Sequence, residues 1–199
     1  ETFHSDGFVA TGDVGFVDVE AGGLLFFHAR TTDLVTNVHG EYVNLSAVEE
    51  SVRLNCPALS CVVACGANRP KNICLVSVKT TIDPETGRFT DTLASEVVAL
   101  NPSIHTAAEA RVDPSVTHAI GKAISTFNKS PSCLEQHWKV SRFGFLQSEP
   151  TYESDELTVN GKLRRFVINE RYSSVIEKLY ELQGSKLSSM RAQTSPSND

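Results

Sequence analysis

The sequence has no long apolar run: its longest, residues 59–66, falls far short of the ~20 residues a membrane-spanning helix needs. Membrane association is therefore expected only through regions outside this chain. It also lacks a positive excess. With 18 Lys and Arg against 24 Asp and Glu, the formal net charge is −6; no concentrated basic field is available to draw in polyphosphate backbones, and nucleic acid is not an expected partner. Cysteines are few and unpaired in number. Five of them leave one over in any disulfide scheme, and Cys56, Cys61 and Cys65 lack the close paired spacing of a zinc site. Reduced core residues and no metal site are expected, in an intracellular setting, cytosolic or peripheral on an organelle membrane. Two Asn-x-Ser sites, at Asn44 and Asn128, match the glycosylation pattern, which that cysteine usage disfavours.

What is present is 199 residues, enough to bury a real core and more than the usual single domain. Residue 1 is Glu, and the chain runs at once into an alternating apolar pattern, so a piece of a longer protein is expected. Short strands are predicted over residues 8–11, 14–19 and 24–28, with Ala21-Gly22-Gly23 supplying a hairpin turn. Residues 30–33 break the apolar rhythm and mark a hinge. Leu34-Val35 and Tyr42-Val43 then flank a His39-Gly40 turn. Ser46 followed by Glu49 reads as a capping box that starts a helix at Ser46. Residues 59–64 and 73–78 are β-branched runs joined by a turn-rich connector, which predicts an antiparallel central pair. Helical cover is expected over 92–100 and 114–127, the latter opened by Asp113-Pro114. A strand over 138–146, an exposed acidic loop over 147–156, an amphipathic helix over 164–182 and a disordered tail from 184 complete the reading.

Three residues carry candidate chemistry, each with a plainer alternative. Asp13, in a Gly-Asp turn, is either a loop aspartate bonding its own backbone or a carboxylate whose two oxygens match the vicinal hydroxyls of a ribose. Arg30 is either a surface ion-pair partner or a guanidinium fork for ribose or phosphate oxygens. Lys162 is either part of a solvated basic turn or, with Gly161 freeing the backbone, an ammonium able to enter a dry cleft and stabilise charge on a carboxylate and an α-phosphate.

The ordered segments Phe8-Val9-Ala10-Thr11-Gly12-Asp13-Val14-Gly15, Ala29-Arg30-Thr31-Thr32-Asp33-Leu34-Val35, Gly40-Glu41-Tyr42-Val43 with Val48-Glu49, and Leu157-Thr158 with Gly161-Lys162-Leu163 closely resemble the motifs of adenylate-forming enzymes. Within that superfamily the chain looks most like the long-chain fatty acyl-CoA synthetases, over most of residues 1–183. The resemblance implies an α+β fold, a small antiparallel sheet flanked by helices, which is the mobile C-terminal domain of such enzymes, preceded by a short β segment from the end of a large N-terminal domain. Residues 1–29 would close that large domain, 30–33 form the hinge, 34–183 the C-terminal domain and 184–199 the tail.

It further implies that Asp13 and Arg30 hold the AMP ribose, that Thr32 and Asp33 form the hinge, and that Lys162 bridges the acyl carboxylate and α-phosphate during adenylation. Gly40 and Glu41 would face the CoA channel after rotation. ATP, fatty acid and CoA are the implied substrates, with Mg²⁺ held by the missing N-terminal domain, itself the implied partner. Departures from the family pattern are Ala29 before the arginine, and Thr31, Thr32 and Thr36 where basic or acidic residues are common; residues 80–110 follow the family poorly. Two alternatives stand beside this: a degenerate, non-catalytic domain kept for protein interaction, and an acyl-AMP ligase that passes its acyl group to a carrier protein.

Overall fold

In a computed structural model, residues 5–133 and 135–182 are described. Two strands, β1 (Asp13–Asp18) and β2 (Leu24–Arg30), form an antiparallel hairpin. Its turn is closed by the Gly23 N–H on the Asp18 carbonyl (2.9 Å), with Gly22 and Gly23 both at positive φ, the conformation that glycine adopts without steric cost. After a three-residue turn come β3 (Leu34–Thr36) and β4 (Tyr42–Asn44), also antiparallel, and helix α1 (Leu45–Leu54).

The body is a three-stranded sheet of β5 (Leu59–Cys65), β6 (Asn72–Val78) and β9 (Val140–Phe145), in the order β5-β6-β9. Between β6 and β9 lie a small hairpin of β7 (Thr80–Ile82) and β8 (Phe89–Leu93), then α2 (Ser95–Val98), α3 (Ala107–Val112) and α4 (Pro114–Lys129). Every residue of β6 is buried, because helices cover both faces of the sheet. On one face Val62, Ala64, Cys74 and Val76 pack with α1 and α4 through Val48, Val52, Ile120 and Phe127. On the other, Val63, Cys65, Ile73 and Leu75 pack against Ile168, Tyr172 and Ile176. Alternation along each strand thus feeds two cores, and the cysteines are core residues as expected: Cys56, Cys65 and Cys74 are buried, Cys61 and Cys133 partly so, and all are free.

The α+β class, the small sheet flanked by helices and the preceding β segment are as expected, as is the antiparallel β5–β6 pair. Several details differ. The sheet is mixed, since β9 runs parallel to β6; the long helical crossover through α4 returns the chain at the same end of the sheet, which an all-antiparallel reading did not allow for. Helix α1 is capped by Asn44, whose side chain accepts from the Ala47 N–H (3.2 Å), not by a Ser46–Glu49 box. Residues 89–93 are a strand and only Ser95–Val98 of the expected helix forms. The helix expected over 164–182 is broken at Tyr172 into α5 (Arg165–Arg171) and α6 (residues 173–182). The acidic segment 147–156 is not uniformly exposed, because Glu156 is fully buried. Asp113 does cap α4 with Pro114 at its first turn. Asn44 is buried and Asn128 donates its side-chain amide to the Val140 carbonyl (2.8 Å), so both candidate glycosylation sites are engaged in the fold. The expected tail from 184 lies outside the described residues.

Candidate functional site

The hairpin register sets Asp13 directly opposite Arg30. Arg30 Nε lies 3.3 Å from Asp13 Oδ1, with both side chains roughly half-exposed. As a surface ion pair this contributes under about 1 kcal/mol, but it leaves the second carboxylate oxygen and the outer guanidinium nitrogens without a partner among the described residues. That is an acceptor and a donor fork on one edge, suited to a diol and a neighbouring anion. The edge is stiffened from behind: Gly12, at φ +76°, turns its carbonyl to accept from both the Thr31 N–H (2.8 Å) and the Thr31 hydroxyl (3.1 Å).

Thr31 therefore belongs mechanically to the hairpin. Asp33 belongs to the body: its carbonyl accepts from the Leu45 N–H (2.9 Å) and its carboxylate meets Arg165. Between them Thr32 is exposed and makes no hydrogen bond among the described residues. An open recess of about 460 Å³, lined by Val14, His28, Thr31, Leu34 and Tyr42, flanks this joint.

The Gly40–Glu41 turn is built on Asn37. The buried Asn37 side chain accepts from the His39 N–H (2.8 Å) and the Glu41 N–H (3.0 Å) and donates to the Glu41 carboxylate (2.7 Å), while Gly40 takes a φ of +78°. Glu41 also lies 3.5 Å from His137, and the Trp138 indole N–H donates to the Tyr42 carbonyl (3.1 Å). The turn thus stands on a firm base while its tip, Val38 to Gly40, is exposed.

Lys162 sits on a small hairpin of its own. Leu157 and Leu163 pair, the Thr158 N–H donates to the Lys162 carbonyl (2.8 Å), and Gly161, at φ +72°, closes the tip with its N–H on the Thr158 carbonyl (2.8 Å). Below, the Arg164 N–H donates to the carbonyl of Glu156 (2.8 Å), and the buried Glu156 carboxylate lies 2.9 Å from Arg171 and accepts from the Ser154 hydroxyl (2.6 Å). The lysine side chain is exposed and unpaired among the described residues. The structure thus brings Asp13 and Arg30 together, while no hydrogen bond or ion pair joins Lys162 to Asp13, Arg30, Gly40 or Glu41.

Two clusters were not anticipated from the sequence. Arg165 is largely buried and reaches Glu49 through both outer nitrogens, Asp33 through Nε and Nη2 (3.4 Å each), and the Ser46 hydroxyl (3.2 Å). Burial pushes the Glu49 carboxyl above its ordinary range, against the pull of Arg165. The same carboxylate accepts from the Ala64 N–H of β5 (2.7 Å). Secondly, Glu149 accepts from the hydroxyls of Ser60 and Ser77 on β5 and β6, and burial raises its carboxyl to about 7. Neither was legible because the partners are distant in sequence. The one available signal was Glu49 itself, an acid on the apolar face of α1, which the sequence reading spent on a cap.

No protein-family model matches the chain. It is 29% identical over 189 residues to the long-chain-fatty-acid–CoA ligase ACSBG1 of Mus musculus, covering 92% of this chain and 26% of that protein. It is 28% identical over 207 residues to the long-chain-fatty-acid–CoA ligase heimdall of Drosophila melanogaster, covering 91% and 30%. Among solved structures, the A-PCP didomain of a carboxylic acid reductase from Segniliparus rugosus, in complex with AMP, superposes with a TM-score of 0.66 at 22% identity, covering 98% of this chain and 24% of that one. The adenylation domain of a carboxylate reductase from Mycobacterium chelonae gives 0.64 at 22% identity, covering 90% and 24%. The chain thus spans about a quarter of the length of the relatives it matches. The resemblance to the C-terminal part of long-chain fatty acyl-CoA synthetases holds over nine-tenths of the chain, and the fold is that of adenylation-domain structures.

Proposed function

We propose, with that kinship as premise, that this chain is the C-terminal part of an ATP-dependent ligase joining a long fatty acid to CoA. In the first half-reaction a fatty carboxylate oxygen attacks the α-phosphorus of ATP, giving acyl-AMP and diphosphate. In the second the CoA thiol attacks the acyl carbon, giving acyl-CoA and AMP. Residues 1–29 would end the large ATP- and acyl-binding domain, 30–33 form the hinge and 34–183 the domain that rotates; of the hinge residues Thr32 and Asp33, Thr32 would be the pivot and Asp33 its body side.

In this reading the exposed Asp13 oxygen accepts from the ribose hydroxyls and Arg30 donates to ribose or phosphate oxygens. Lys162 enters the closed site and lies between carboxylate and α-phosphate, where a fixed ammonium offsets the charge that builds up as the bond forms; excluding water strengthens that effect. After rotation Lys162 withdraws and the Gly40–Glu41 turn lines the path of the CoA arm. Mg²⁺, which neutralises phosphate charge when bound, would be held by the rest of the protein, an intracellular enzyme in the cytosol or at an organelle surface.

The observation that carries the reading is Lys162: an ammonium unpaired among the described residues, on a glycine-closed tip with a fixed base, in a chain that matches ligases over 92% of its length. The test is AMP release from ATP, palmitate and CoA by the full-length protein, wild type against Lys162→Ala. The expected result is a loss of adenylation of about 10²–10³-fold, with thioester formation from supplied acyl-AMP kept. Equal background rates in both proteins would favour the degenerate interaction domain, and transfer to a carrier protein but not to CoA would favour the carrier-dependent ligase.

A further inference from the structure

Arg165 lies three residues beyond Lys162, and Asp33 three residues beyond Arg30. Though 132 residues apart, the two meet: Asp33 Oδ1 is 3.4 Å from Arg165 Nε and Nη2. The same guanidinium holds Glu49 of α1 in a two-pronged pair and donates to the Ser46 hydroxyl (3.2 Å); its side chain is 16% exposed, against 10% for Glu49 and 25% for Asp33. Through Glu49 the contact continues to the Ala64 N–H of β5 (2.7 Å). A fold staple would need only the Glu49 arm. The Asp33 arm does something further, since it ties the body side of the Thr32 joint to the start of α5, immediately after the Lys162 hairpin.

We infer that Arg165 is a positioning residue, a clasp that makes the Lys162 hairpin and the linker at Asp33 turn as one body about Thr32. A planar fork with fixed donor directions can hold two carboxylates and a hydroxyl at set angles, which a lysine cannot. With the clasp closed, rotation at Thr32 is delivered to Lys162 without slack. With the Asp33 arm cut, the fold stays and the lysine is poorly aimed. An error of about 1 Å at a reacting group costs on the order of 10²-fold in rate. The inference rests on the adenylating role proposed for Lys162.

The experiment uses the full-length protein and measures the two half-reactions separately for Asp33→Asn, Arg165→Gln, Lys162→Ala and the double variants carrying Lys162→Ala. Asp33→Asn keeps the side-chain volume and the Arg165–Glu49 pair, so it stays folded even if Arg165→Gln, which leaves Glu49 buried and unpaired, does not. The expected result is that Asp33→Asn lowers the adenylation kcat about tenfold and Arg165→Gln about 10²-fold. The KM for ATP and the thioester step from supplied acyl-AMP should stay within about twofold, with no further loss in the Lys162→Ala background. Wild-type adenylation in Asp33→Asn and folded Arg165→Gln, with Lys162→Ala inactive, overturns the clasp and leaves the proposed function standing. Equal losses in both half-reactions, or losses that track a falling melting temperature, also overturn it, as a merely structural role. Full activity of Lys162→Ala overturns the clasp together with the reading on which it rests.

Discussion

At the scale of single residues, the chemistry is set by what surrounds each charge. Asp13 and Arg30 face each other in exposed register and keep free oxygens and nitrogens. Glu149 is the opposite case. Held by two serine hydroxyls, its carboxyl is pushed up by burial from 4.5 to about 7. Because the folded-state value is the higher one, the folded protein binds this proton more tightly. That contribution to stability is full below pH 4.5 and is lost as pH rises through 7. The melting temperature should therefore fall between pH 5.5 and 8 by an amount that Glu149→Gln removes, worth about 1 kcal/mol after allowing for the group's partial exposure. A thermal unfolding series at the two pH values, wild type against variant, checks this; an unchanged pH slope in Glu149→Gln would assign the effect to other groups.

At the scale of elements, α1 shows how a local signal misleads when a distant partner competes for it. Ser46 and Glu49 have the spacing of a capping box, and Glu49 would satisfy it in an isolated helix. In the fold both are drawn to Arg165, more than 115 residues away, because a buried carboxylate needs a charged partner more than a helix end needs a second acceptor. The capping role moves two residues back to Asn44, whose side chain also donates to the His28 carbonyl (3.2 Å) at the end of the hairpin. Asn44→Ala should accordingly destabilise the chain by about 1–2 kcal/mol. Ser46→Ala, which removes a single hydroxyl contact, should cost clearly less; equal shifts in the denaturation midpoint would restore the Ser46 cap.

At the scale of the whole molecule, the two ends of the chain behave differently. The body has two cores with helices on both faces of its sheet, whereas the β1–β2 hairpin exposes Leu25 and Phe27 at 75% and 68%, with Phe16 and Phe26 stacked but also open. Exposed apolar surface of this kind marks a contact face, which under the proposed function would meet the preceding domain. The isolated 199-residue chain should thus bind an apolar dye such as ANS and catalyse neither half-reaction. Replacing Leu25 and Phe27 together by serine should weaken dye binding without lowering the unfolding midpoint, since neither side chain is part of the buried core; unchanged dye binding would locate the dye site away from these two side chains.

Sequence alone determined what depends on neighbours in the chain. The glycine turns at Gly22-Gly23, Gly40 and Gly161, the Asp113-Pro114 helix start, the alternating central strands and the order of the motifs are local, because turn chemistry and side-chain alternation act over a few residues. The tertiary structure alone decided what depends on separation: the parallel third strand, the buried Glu156, the serine-held Glu149, and above all the Arg165 clasp on Asp33 and Glu49. Charged groups are read as surface when only their neighbours in sequence are known. Whether a charge is buried depends on a counter-charge brought to it by the fold, and here that partner comes from the far end of the chain.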